Sequence, residues 1–310
     1  MSMDLQSHFN WTGRQDLEDG PMAVRFYNRI KENGKRALIG FASDAGVQRN
    51  LGRPGAALAP DAIRTAARNL AVPHNAGPFV DLGDIRVEDD ALEAGHTLLS
   101  LTLDQQLRLF DRILILGGGH ETAYGGYAGL KIHYPDHRIG IVNLDAHLDL
   151  RVPGDKGVSS GTPFYQMRML DPKQFDYLCL GVAEESNTDA LFQRAEEWDV
   201  GIVSDHALIA NPKAADAEIS KLIARNDLIY LTIDLDVLPH YQMPGVSAPA
   251  SRGVPLSTIE RLVQLILELT KSTGKHVPVA DIVEYSPALD QDDVGARTAA
   301  CLARQILLCP

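Results

Sequence analysis

Short runs of apolar residues recur along this chain, separated by amphipathic stretches, and that alternation restricts its fold more than any other feature. The runs lie near 38–42, 79–82, 112–116, 138–144, 176–181, 200–203, 228–233 and 278–283. Helical periodicity fills stretches between them, at 60–71, 97–110, 187–198, 212–225, 255–272 and 292–308. Ile113–Leu116 and Leu228–Ile233 read as apolar throughout, the mark of strands covered on both faces. Strand–helix alternation of this kind predicts an α/β fold: about eight mostly parallel strands in one sheet, with helices on both faces. One sheet of that size implies a single domain over residues 1–310. Residues 1–35, with a helix-like segment at Pro21–Lys31, are expected to pack on its outside.

Composition narrows the partners. A net charge of −12 makes a nucleic-acid footprint unexpected. The richest apolar stretch, Leu262–Leu269, is broken by Gln264 and Glu268 and reads as a helix face, not a membrane span. Cys179, Cys301 and Cys309 are odd in number and lack metal or redox spacing, which points to a reduced, cytoplasmic setting. Met1–Gln15 has no apolar core of the kind a secretory leader carries.

Ligands of open parallel sheets gather beyond the carboxyl ends of the strands. Three segments there are unusual: Gly117-Gly118-Gly119-His120-Glu121, Asp145-Ala146-His147-Leu148-Asp149, and Asp234-Leu235-Asp236. In extended backbone, residues two apart face one side, so Asp145, His147 and Asp149 would converge, as would Asp234 and Asp236. Four carboxylates crowded together raise one another's pKa unless cations sit among them. Six oxygen and nitrogen donors without a thiolate suit Mn²⁺ better than structural zinc, and four carboxylates suit two metals better than one. Such a pair activates water at neutral pH. Taken singly, Asp-x-Asp is more often a cap, and Gly-Gly-Gly-His is a weak signal.

Together the three segments resemble the signature motifs of the ureohydrolases, the group of arginases, agmatinases and formiminoglutamases. The resemblance implies an arginase-like three-layer fold and two Mn²⁺ per subunit. It implies metal ligands at His120, Asp145, His147, Asp149, Asp234 and Asp236. Relatives commonly form trimers or hexamers, so a homo-oligomer is expected.

Further segments look like formiminoglutamases in particular: Trp11-x-Gly13-Arg14-x-Asp16, Gly40–Val47 with Arg49–Ala56, and Ser186-Asn187-Thr188. Those enzymes convert N-formimino-L-glutamate and water to L-glutamate and formamide in histidine breakdown. Ser160 stands where arginases and agmatinases carry a histidine. Arg151 follows the last ligand of its motif by two residues, and a guanidinium suits a substrate carboxylate. Its bland alternative is an ion pair with Asp155. Glu284 matches the acid that holds the amidine or guanidine cation; its bland alternative is a pair with Arg297 or Arg304. The expected substrate-facing set is thus Arg151, Ser160, Asn187 and Glu284. Glu284 and Asp149 are the catalytic candidates, Asp149 as carrier of a proton to the departing amine. Arg53 is either a second carboxylate partner or a loop staple. Rival readings are a guanidino-substrate hydrolase that releases urea and a non-catalytic binding protein of the same fold.

Overall fold

The computed structural model describes residues 9–309; residues 1–8, part of the peripheral N-terminal segment and of the leader reading, and residue 310 lie outside. Eight strands form one sheet: β1 (Arg36–Ala42), β2 (Phe79–Arg86), β3 (Arg112–Leu116), β4 (Ile139–Leu144), β5 (Asp176–Val182), β6 (Gly201–Ser204), β7 (Leu228–Asp234) and β8 (His276–Val283). The order is β2-β1-β3-β8-β7-β4-β5-β6. Every pairing is parallel.

Among the described residues nine α-helices connect them and a tenth follows β8: α1 (Ala45–Arg49), α2 (Ala59–Ala67), α3 (Leu92–Gln106), α4 (Thr122–His133), α5 (Pro163–Leu170), α6 (Asp189–Glu197), α7 (Asp205–Ala210), α8 (Asp216–Arg225), α9 (Leu256–Ser272) and α10 (Val294–Leu308). The two-residue period of a strand divides its side chains between two apolar layers. Leu114 and Leu116 of β3 join one layer with Ile63, Leu222, Leu262 and Ile306. Ile113 and Ile115 join the other with Leu99, Tyr127 and Phe164. Each such buried side chain contributes about 1.5–3 kcal/mol. No helix among the described residues is long and apolar enough to cross a membrane.

The start of the chain departs from expectation. Pro21–Lys31 is not an α-helix: two 3-10 turns, Leu17–Met22 and Phe26–Arg29, occupy this stretch. Bridges from Arg25 to Ala71 and from Ile30 to Phe79 hold its backbone extended between and beside them. Trp11 donates from Nε1 to Asp81 of β2 at 2.7 Å, and Arg14 and Arg25 both pair with Asp16. The segment therefore lies along the β2 edge. Thr162, followed by Pro163, precedes α5, a pattern that suggests a cap, yet its hydroxyl does not cap the helix. It donates to the Ser159 carbonyl at 2.9 Å and so closes the preceding turn.

Candidate metal centre

Four neighbouring strands, in the order β3-β8-β7-β4, occupy the middle of the sheet. Their carboxyl ends lead to His120, Glu284, Asp234 and Asp145 in turn. The glycines after β3 let a neighbouring loop come close. A Cβ on Gly118 would stand 1.7 Å from the Ser43 carbonyl oxygen, so only glycine fits. Glu284 follows β8 with a positive φ of 67°, and its N–H donates to the Gly118 carbonyl at 2.8 Å. Non-glycine residues in that region are uncommon and collect at functional sites.

The six expected ligands fall into two groups that share Asp145. His120, Asp145, Asp149 and Asp234 form one; Asp145, His147 and Asp236 form the other; within each, one ligand atom per residue lies within 4.8 Å of the rest. His120 Nδ1 is 3.1 Å from Asp145, 3.0 Å from Asp149 and 3.1 Å from Asp234. His147 Nδ1 is 3.0 Å from Asp236. The convergence does not arise from an extended strand, as the spacing suggested. β4 ends at Leu144, and Asp149 takes a left-handed backbone with φ 46°. An irregular loop turns the three side chains together, held by the His147 N–H on Asp145 Oδ1 at 2.6 Å.

The donor set fits cations. Thr232 on β7 gives its one hydroxyl proton to Asp281 on β8 at 2.5 Å. It can only accept from His120 Nε2, 3.0 Å away, so that nitrogen carries the proton. Nδ1 is thereby left with a lone pair facing three carboxylates, buried and without a hydrogen-bond partner, as is Asp236 Oδ1. Lone pairs and anions so arranged repel one another unless a cation lies between them.

Without a cation, protons would have to take its place. Burial, then Asp236 and Asp145, push Asp234 well above the usual carboxylate range. Burial opposes the charged form of His120, but its three carboxylate neighbours outweigh it and raise the imidazole. Asp145 goes the other way: burial would raise it, yet His120 and His147 hold it low.

A cavity of about 390 Å³ opens on this cluster, lined among others by His147, Asp149, Asp234, Asp236, Arg151 and Glu284. Burial and then the nearby Glu121 raise the Glu284 carboxyl to about 8. Glu284 pairs with neither Arg297 nor Arg304; its Oε1 accepts from the His120 N–H at 2.8 Å. Arg151 is exposed and its guanidinium has no partner among the described residues, Asp155 included. Ser160 is buried at the wall, its N–H donating to the Gly46 carbonyl at 3.1 Å. Arg53 staples a loop, donating to the Ser247 carbonyl at 3.0 Å and the Val246 carbonyl at 2.8 Å. Asn187 also lines the cavity, but its amide serves the ligand loop. It donates to Ala146 and Ala183 carbonyls and accepts from the Leu148 N–H, each at 2.9 Å.

Three residues that the motif reading passed over matter here. Thr232 and Asp281 face each other in register across β7 and β8. Polar residues inside otherwise apolar strands were the available signal. Glu121 is fully buried beside His120, and its Oε1 accepts from Ser43 Oγ at 2.9 Å and the Gly46 N–H at 3.0 Å. It thus joins the ligand loop after β3 to the wall formed by α1.

Residues 35–309 match the model of the arginase family. A formimidoylglutamase of Aeromonas hydrophila is 46% identical, with 96% of each chain covered. One from Klebsiella pneumoniae is 43% identical, covering 96% of this chain and 95% of its own. Among solved structures, Trypanosoma cruzi formiminoglutamase with Mn²⁺ superimposes with a TM-score of 0.75 at 26% identity, covering 88% of this chain and 92% of its own. The formimidoylglutamase of Bacillus subtilis shares the fold, with a TM-score of 0.82 at 24% identity, covering 96% of this chain and 93% of its own. On the strength of the family match and these relatives, the chain belongs to the arginase family.

Proposed function

We propose that this protein is a binuclear manganese hydrolase that converts N-formimino-L-glutamate and water to L-glutamate and formamide in histidine degradation. The names of its relatives support the substrate. The observation that carries the reading is one cavity holding an unpartnered guanidinium, Arg151, and a carboxyl, Glu284, beside both ligand groups. The substrate offers the complementary pair, a carboxylate and a basic formimino nitrogen.

His120, Asp145, Asp149 and Asp234 would hold one cation, and Asp145, His147 and Asp236 the other. When bound, such a pair supplies a water nucleophile at neutral pH and positive charge opposite the developing anion. Glu284 orients the formimino group, its carboxyl fixed by the His120 N–H. Arg151 takes a substrate carboxylate, and Ser160 and Asn187 bound the pocket on that side. Asp149, at the cavity wall, carries a proton to the departing amine. The reading also has a cytoplasmic homo-oligomer, in keeping with three free cysteines.

The test is turnover of the manganese-loaded protein on N-formimino-L-glutamate, with arginine, agmatine and guanidinobutyrate alongside. Glutamate and formamide are expected from the first substrate alone. Urea from any of the others would keep the metal chemistry and overturn the substrate.

A further inference from the structure

At the end of the sheet away from the metal centre, two arginines stand side by side. Arg36 opens β1, Arg112 opens β3, and the two are register partners. Like charges directly opposite on neighbouring strands repel. Guanidinium does not discharge at physiological pH, and a buried charge is costly without a counter-charge. Arg112 is only 9% exposed. Burial, and then the charge of Arg36, draw it down to about 10.

Among the described residues these cations donate only to neutral carbonyls; the charge of the exposed Asp111 also acts on Arg36, without a hydrogen bond. Arg112 donates from Nε to the Val277 carbonyl at 3.1 Å and from Nη1 to those of Ile306 at 2.8 Å and Cys309 at 2.9 Å. Arg36 Nη1 donates to the Leu307 carbonyl. The carbonyls of Ile306, Leu307 and Cys309 end α10, where the helix dipole presents roughly half a negative charge. Two whole cations face it. Among the described residues neither arginine forms an ion pair, and Nη2 of Arg112 and Nε and Nη2 of Arg36 donate to nothing.

The same residues line a cavity of about 270 Å³ with Lys35, Lys271, Lys275 and the exposed acid Asp111. Lys275 spends its ammonium on the Ile223, Ala224 and Asn226 carbonyls. Lys35 and Lys271 are exposed. On a chain of net charge −12, this concentration of positive charge runs against the whole molecule.

We propose that this cavity is an anion site that takes a compact oxyanion, phosphate or carboxylate, on the free N–H groups of Arg36 and Arg112, with Lys35 and Lys271 at its rim. The planar fork of arginine matches such oxyanions, and the ligand supplies the charge that the α10 carbonyls lack. The site is separate from the catalytic one: β1, β3 and β8 run between them, and a five-residue strand alone spans roughly 17 Å.

Calorimetric titration of the full metal-loaded chain with inorganic phosphate tests this, with acetate as the carboxylate arm and Arg36→Gln and Lys271→Gln as variants. Phosphate or acetate should bind the wild type, and its dissociation constant should rise at least tenfold in Arg36→Gln and severalfold in Lys271→Gln. Whichever anion shows that dependence identifies the source. Should Arg36→Gln not fold, Lys271→Gln with Lys35→Gln carries the test. Anion affinity unchanged by these substitutions, or no binding by the wild type, overturns the proposal.

Discussion

The backbone N–H of His120 donates to the carboxylate of Glu284 at 2.8 Å, tying the first expected metal ligand to the acid expected to hold the substrate. Glu284→Gln keeps the acceptor and the shape but cannot release a proton to become the carboxylate that would face the substrate cation. Metal content should stay at the wild-type level while turnover falls roughly 100-fold or more, as when one electrostatic partner of the reacting group is lost. Paired metal analysis and steady-state kinetics check this. Loss of metal together with activity would make Glu284 a scaffold of the metal loop instead.

Arg151→Ala removes a cation with no structural partner among the described residues, so folding and metal content should not change. Loss of a charge-assisted contact of about 1.5–3 kcal/mol corresponds to a rise in KM of roughly 10- to 100-fold. Arg151→Lys should recover only part of it, because an ammonium lacks the planar fork. An unchanged KM would remove Arg151 from the substrate site.

Glu121→Ala leaves the Ser43 hydroxyl and the Gly46 N–H without their buried acceptor. About 1–3 kcal/mol of stability should go with them, measured by urea unfolding. Because α1 and the residues after it wall the cavity, KM should rise more than kcat falls. Glu121→Gln, which keeps an acceptor oxygen, should restore both. Equal defects in Gln and Ala variants would speak for the charge and not the hydrogen bonds.

His96 supplies a pH signature of the core. Its ring is 3% exposed on α3, stacked on Phe41, and burial lowers its pKa to about 4. An unfolded histidine titrates near 6.5. Between these values the unfolded chain binds the extra proton, so stability is full above about pH 6.5 and falls as pH drops towards 4. The loss amounts to about 3 kcal/mol at pH 4. The stability difference between wild type and His96→Leu should shift by that amount, against the wild type, between pH 7 and pH 4. A difference independent of pH would contradict it.

The sheet was legible because strands buried on both faces read as apolar runs, and the convergence of the six candidate ligands because carboxylates and imidazoles cluster at strand ends. α4 was not legible. Its glycines weaken helical preference, yet Gly126 and Gly129 are needed for close approach: a Cβ there would meet Tyr230 at 2.5 Å and Leu103 at 2.8 Å. The strand read as apolar, Leu228–Ile233, contains Thr232, whose role exists only once Asp281 and His120 are brought beside it. Asn187 matched a motif, but no spacing could tell that its amide is taken up by the ligand loop. Local pattern finds donors; which atoms are already paired is decided by contacts distant in sequence.

Titration of the metal-free chain with manganese, read as formamide released from N-formimino-L-glutamate, tests the binuclear centre most directly. Activity should be absent at first and rise to a plateau at two equivalents per chain, with Asp145→Asn, which alters the ligand shared by both groups, flat throughout. A plateau at one equivalent, or turnover by the metal-free chain, would contradict a two-metal hydrolase.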